Sequence, residues 1–258
     1  PNKELIPQQT LMELLVQGLD DKSVFRYGSG ECQDCGCWYG VSISDSKVVT
    51  IDWGVDLMYE AAFNEEEDLP QIGGSIYLHW IPDSVTSFNI AHMKLSGTID
   101  TSLLPSCLLR FHVSDNKFSG EFITKGLPRS IENVDVDVNA LFGNLDLTEI
   151  PASVRCFFAA RNHFCGNLDF TSLPSGLKIL SLNGNSFCGD ISLQFLPASI
   201  EFLTLEDNKF DQETLILSAD LPRLHVIRID PESFFDIHDT AGSKYVKVSA
   251  SGTKTELK

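Results

Sequence analysis

The 258-residue chain carries 36 acidic against 19 basic side chains, a formal charge of −17, so sequence-independent attraction to nucleic acid or anionic membrane is disfavoured and a basic or neutral partner is the natural inference. No apolar run approaches the length of a membrane span, no signal peptide precedes Pro1, and the absence of any Asn-x-Ser/Thr sequon argues against heavy glycosylation. A signal already cleaved would leave the same start, so an extracellular or lumenal location is expected, with a cytoplasmic one left open.

Along the chain, Gln8 to Gln17 sets Leu11, Leu14 and Leu15 on one side and ends at Gly18, the pattern of a short amphipathic helix. Cys32, Cys35 and Cys37 come next as a cluster. A disulfide such as Cys32–Cys37 is one way to pair them, and a structural zinc site lacks a fourth ligand close in sequence. Seven cysteines is an odd number, so at least one is unpaired. Val49, Ile51 and Trp53 alternate as a strand does. Gly74-Ser-Ile-Tyr-Leu-His-Trp-Ile81-Pro82 then matches Gly189-Asp-Ile-Ser-Leu-Gln-Phe-Leu196-Pro197 place for place. Residues 46–80 are therefore one repeat carrying an insertion, 54–72, whose run Glu65-Glu-Glu-Asp68 reads as a solvated loop.

Six stretches begin at Ile81, Leu104, Leu127, Ile150, Leu173 and Leu196, each 23 residues after the last. The best preserved are Leu104-Pro-Ser-Cys-Leu-Leu-Arg-Phe-His-Val-Ser-Asp-Asn116-Lys-Phe118-Ser-Gly120 and Leu173-Pro-Ser-Gly-Leu-Lys-Ile-Leu-Ser-Leu-Asn-Gly-Asn185-Ser-Phe187-Cys-Gly189. Apolar residues at the eighth and tenth places, Phe111/Val113 and Leu180/Leu182 among them, mark a short half-buried strand in every unit, and stacking the units makes a parallel sheet. At the thirteenth place stand Asn116, Asn139, Asn162, Asn185 and Asn208, whose amides can satisfy buried turn backbone in their own and neighbouring coils. Met93 replaces them in the first unit. Leu95, Phe118, Leu141, Phe164, Phe187 and Phe210 form a core spine at the fifteenth place. Glycines at the seventeenth, Gly97 to Gly189, permit positive φ, and the alternation after them predicts a second extended segment.

The repeat from Leu196 is two residues longer than its predecessors, and Leu221-Pro-Arg-Leu-His-Val-Ile-Arg-Ile229 restarts one residue short. Pro231 cannot donate to another ladder, so the stack is expected to stop there under Ile229, Phe234 and Phe235. The organisation is then an N-terminal cap at 1–45, about eight repeats at 46–230 with the last truncated, a C-terminal cap at 231–248 and a small polar tail at 249–258.

These units resemble the leucine-rich repeat family, whose LxxLxLxxNxL pattern recurs every twenty to twenty-nine residues. The Gly-x-Ile element after the turn resembles the plant-type extracellular class, and Cys37-Trp38-Tyr39-Gly40-Val41 partly matches that class's cap signature, with Ile43 where its last cysteine falls. The resemblance implies a right-handed solenoid of the α/β horseshoe class, β-rich. Its parallel sheet would line the concave face, with extended and irregular segments on the convex side and a small helical N-terminal cap.

Cys165 and Cys188 hold the same place in successive repeats, within disulfide reach if those places stack. Small-residue replacement of Ser96 and Ser119, and of serine at Cys107, explains them without a bond. On the outward side of the main sheet, Cys156, Phe158, Ile179 and Phe202 make an apolar patch with Arg161 at its rim, the kind of surface that marks an interaction site. Earlier coils present Arg110, His112 and an acidic stretch of Asp115, Glu132, Asp135 and Asp137, and a later one Glu206. His112 and Asp135 share a column and are read as a pair rather than a metal site. No phosphate loop, nucleophile elbow or metalloprotease motif occurs, and no catalytic residue, metal or cofactor is expected. The reading is a non-catalytic module binding a protein, peptide or glycan on the concave face. A secreted-hydrolase inhibitor and an adhesion spacer are the alternatives.

Overall fold

A computed structural model of the chain describes residues 3–22, 34–54 and 72–242. Cys32, the acidic run at 65–68 with most of the insertion, and the tail lie outside them. Among the described residues nine strands form the main sheet in chain order: Val41–Ser44, Lys47–Asp52, Ser87–Asn89, Arg110–His112, Asn133–Asp135, Cys156–Phe158, Ile179–Ser181, Phe202–Thr204 and Val226–Arg228. All pair in parallel except the first two. Those two are a hairpin, whereas the sequence pattern marks no strand in the cap. Its two-residue turn, Asp45 and Ser46, has φ of 49° and 61°, the mirror-image geometry that suits the twist of a hairpin but is usually signalled by Asn-Gly or Asp-Gly.

The N-terminal helix is Gln8–Leu15, two residues shorter than expected. Met12, not Leu14, joins Leu11 and Leu15 in the core. The cap motif closes on the second strand: Trp53 donates its indole N–H to the Tyr39 carbonyl at 2.8 Å, and Trp38 packs against Trp53 at 6.4 Å between ring centroids. Gly40 is required there, because a Cβ would fall 1.8 Å from the Asp52 carbonyl oxygen.

Each coil buries its eighth- and tenth-place residues, from Phe88/Ile90 to Leu203/Leu205. At the thirteenth place the expected ladder is present. Asn139 accepts from Phe118 N–H of the preceding coil at 2.9 Å and donates to Val113, Val136 and Asp137 carbonyls. Asn116, Asn162, Asn185 and Asn208 repeat the arrangement. A buried backbone group without a partner is costly, and one amide here serves several. The spine residues are buried, with Phe164 and Phe187 stacked at 6.2 Å.

The second sheet has five parallel strands, Ser96–Thr98, Lys117–Glu121, Ala140–Asn144, His163–Gly166 and Ser186–Phe187. Its strands form mostly before and through the recurring glycine, whereas the sequence pattern places them after it. Beyond that glycine comes an inward apolar residue, such as Phe122 or Leu145, and in several coils a short 3-10 turn. Partners in this sheet are 21 residues apart, as in Gly120 with Leu141, against 23 in the main sheet, as in Phe111 with Val134. Cys165 therefore faces Ser186 and not Cys188, so the shared place never becomes a shared rung, and both thiols are free. Cys107 donates to the Asp83 carbonyl at 3.0 Å as Ser130 and Ser153 donate to theirs, a cysteine in a serine's role.

The main sheet ends at Val226–Arg228, yet the chain does not leave the stack at Pro231. After one 3-10 turn, Phe234–Asp239 pairs in parallel with Gln212–Leu217, and Phe234 is buried.

Replacing Asn139 with Ala removes the acceptor of the buried Phe118 N–H and the donor to three carbonyls. The expected loss is about 1–3 kcal/mol per orphaned buried group, read as a lower urea midpoint at unchanged m-value.

Candidate recognition face

Each three-residue strand of the main sheet turns its middle residue into the core and its two flanking residues outward, which is the period-two alternation at work. Register sets Arg110, Asn133, Cys156, Ile179, Phe202 and Val226 side by side in one column, and His112, Asp135, Phe158, Ser181, Thr204 and Arg228 in the next. Strands in a sheet lie about 4.8 Å apart, so neighbours within a column are in contact range.

The structure brings four of the sequence-picked residues together. Cys156, Ile179 and Phe202 form an unbroken apolar column, with Phe158 two residues along from Cys156 on the same strand. Phe202 is 37% exposed, and its ring stacks on His225 with centroids 5.7 Å apart and planes 16° from parallel. Val226 extends the column by one strand. Sequence reasoning missed both Val226 and His225, because the one-residue deletion after Leu221 shifts their places; aligning on Ile227 instead of Leu221 recovers them. Cys156 is a free, half-buried thiol whose pKa burial pushes up, so it packs as a small apolar group. The column is bordered on one side by the Lys178–Glu201 ion pair at 3.2 Å. On the other lie Ser181, Asn183 and Thr204, bonded to one another.

The acidic residues sit one coil earlier, where Asp135 is the register partner of Phe158. Asp135 accepts from Ser114 Oγ at 2.9 Å and from the Asp137 N–H at 3.1 Å. Asp137 accepts from the Ala160 N–H of the next coil. Burial first, and then the Asp135 charge, push the Asp137 carboxyl up to about 7 against the lowering effects of Ala160 N–H and Arg161. His112 is the register neighbour of Asp135. Its pKa nevertheless falls, because burial outweighs the attraction of Asp135 and Asp52, and the Asp135 oxygens go to Ser114 and the Asp137 amide.

The remaining candidates are peripheral. Arg161, at φ 52°, lies over Gly184 and acts on Asp137. Arg110 is two strands from Cys156, with Asn133 between. Glu206 is half-buried 3.9 Å from Arg228, its carboxyl raised mainly by burial, and its Oε2 has no hydrogen-bond partner among the described residues.

Comparison with solved structures bears on the architecture. The ectodomain of the plant receptor kinase GASSHO1/SCHENGEN3 from Arabidopsis thaliana, solved with CASPARIAN STRIP INTEGRITY FACTOR 2, superposes with a TM-score of 0.62 at 16% identity over 90% of this chain and 29% of that one. The PEPR1–AtPEP1 structure gives 0.59 at 18% over 86% and 38%. The Arabidopsis receptor kinase HAESA, solved with the peptide hormone IDA and the co-receptor SERK1, gives 0.51 at 21% over 65% and 28%. The chain has the leucine-rich-repeat fold of the plant type. At these identities the likeness is one of fold, and the chain spans well under half the length of each of these three. No family model and no characterised protein matches the sequence. Among the described residues, no helix is long and apolar enough to cross a membrane.

Because its folded pKa is raised, Asp137 contributes stability that is full below about pH 4 and lost as pH rises through about 7. Asp137→Asn keeps an acceptor for the Ala160 N–H and does not ionise. Its melting temperature relative to wild type should therefore climb between pH 4 and pH 8; a constant difference across that window would contradict the assignment.

Proposed function

We propose that this chain is a recognition module that binds a protein or peptide on the outward face of its nine-stranded sheet. The observation that carries the reading is the column Cys156–Ile179–Phe202–Val226, an unbroken run of outward apolar side chains with Phe158 beside it, on a face whose other strand places are mostly polar. Interior places are dictated by the stack and these are not, so packing between coils does not explain why exposed Phe202 and its half-buried neighbours Cys156, Ile179 and Val226 are apolar. The shared fold adds support, since the receptor kinase HAESA, similar in fold, was solved with a peptide hormone. We place the protein in an extracellular or lumenal compartment and assign it no catalysis. The polar groups beside the column are engaged with one another rather than directed at a common point.

A Cys32–Cys37 disulfide in the cap belongs to this reading. Cys35, Cys107, Cys156, Cys165 and Cys188 are free thiols and Cys37 is not among them. Mass-spectrometric mapping of the non-reduced chain after alkylation should give one linked Cys32–Cys37 pair and alkylated cysteines elsewhere.

Affinity capture from the native source tests the function. Phe158→Asp and Phe202→Asp set a charge into the contact without touching the core, so captured partner should fall at least about tenfold, roughly 1.4 kcal/mol, while the melting temperature holds. Unchanged capture by folded variants would remove this face as the site. A captured hydrolase whose activity the chain suppresses would specify the module as an inhibitor.

A further inference from the structure

The apolar column does not stand alone on the face. Asp135 adjoins its Phe158 corner as a register partner, and Asp137 lies two residues further along the same coil. Arg110 stands one coil before this pair and Arg161 one coil after it. Asp115 of the coil before adjoins the pair as well, its N–H bonding the Asp137 carbonyl at 3.0 Å, so the spot is net acidic and suits a cation. From the Asp135 strand to the Phe202 strand there are three steps, about 14 Å at the ~4.8 Å spacing of a sheet, which an extended peptide covers in about four residues at ~3.3 Å each.

Resting on the recognition reading above, we infer that the occupant is an extended partner segment with one Lys or Arg about four residues from one large apolar side chain. The apolar group lies over Ile179 and Phe202, and the cation over Asp135 and Asp137. Charge complementarity selects this partner from other apolar ones: the chain is strongly acidic, and a cation beside the Asp135–Asp137 pair relieves the repulsion that helps hold the Asp137 carboxyl high. The apolar contact supplies most of the affinity and the ion pair the register of the bound segment.

The test uses the full chain against synthetic nonapeptides in which one Leu and one Lys are separated by one to six Ser or Gly residues. Matched sets carry Glu in place of Lys, or Leu alone. Binding should peak with three or four intervening residues and fall about tenfold on exchanging Lys for Glu. High salt should remove that preference, since screening acts on the ion pair and not on the apolar contact. Asp135→Asn with Asp137→Asn should level Lys and Glu peptides while keeping the Leu-only signal. Because that double variant can disturb the coil, the salt series on the unaltered chain stands as the independent measurement. Equal binding of Lys and Glu peptides, lost in Phe202→Asp, overturns the charge-paired ligand and leaves the recognition face. No binding to any peptide overturns both.

Discussion

Everything in this molecule depends on one demand, that backbone polar groups enclosed between coils find partners away from water. The asparagine at the thirteenth place meets it. Asn139 holds Phe118 N–H of the coil before it and carbonyls of Val113, Val136 and Asp137, so one side chain closes its own turn and fastens the coil before it. No apolar residue can do this, and a charged one would have to be desolvated. The same bond sets the offset between the two sheets. It ties the thirteenth place of one coil to the fifteenth of its predecessor, 21 residues back, while the main sheet pairs at 23.

That arrangement constrains the turn that makes it possible. The residue before the asparagine, or before Met93 in the first unit, takes a left-handed conformation in coil after coil: His92, Asp115, Val138, Arg161 and Asp207 have φ between 50° and 61°, and Gly184 has 69°. Such backbone is costly for side chains with a Cβ, most of all for a β-branched one such as Val138. It persists because the amide ladder over-determines it. In the coils this backbone falls just past the end of the main strand, which leaves the strands regular and their outward places free to vary.

Freedom at those places gives the fold a surface that varies from coil to coil. Inward positions repeat, being fixed by packing. Outward positions differ from coil to coil, and the difference is organised: acidic groups in the coil of Asp135, an apolar column from Cys156 to Val226, and a Glu206–Arg228 pair beyond. Parallel register converts residues 23 apart in sequence into neighbours within a column. A surface that looks scattered along the chain is therefore contiguous in space.

The sequence by itself determined the repeat, the parallel main sheet, the asparagine ladder, the buried spine and the four apolar residues of the face, because each comes from a period and a residue type. Only the tertiary structure decided matters that depend on how coils settle against one another. The hairpin turned on positive φ at Asp45 and Ser46, residues with no strong turn signature. The separation of Cys165 from Cys188 came from the 21-residue register, which a 23-residue repeat hides. Asp137 was displaced from its ordinary titration by burial under the next coil. A repeat fixes what faces inward because every coil solves the same packing problem; what faces outward, and how two sheets slide past each other, is settled only when the coils are stacked.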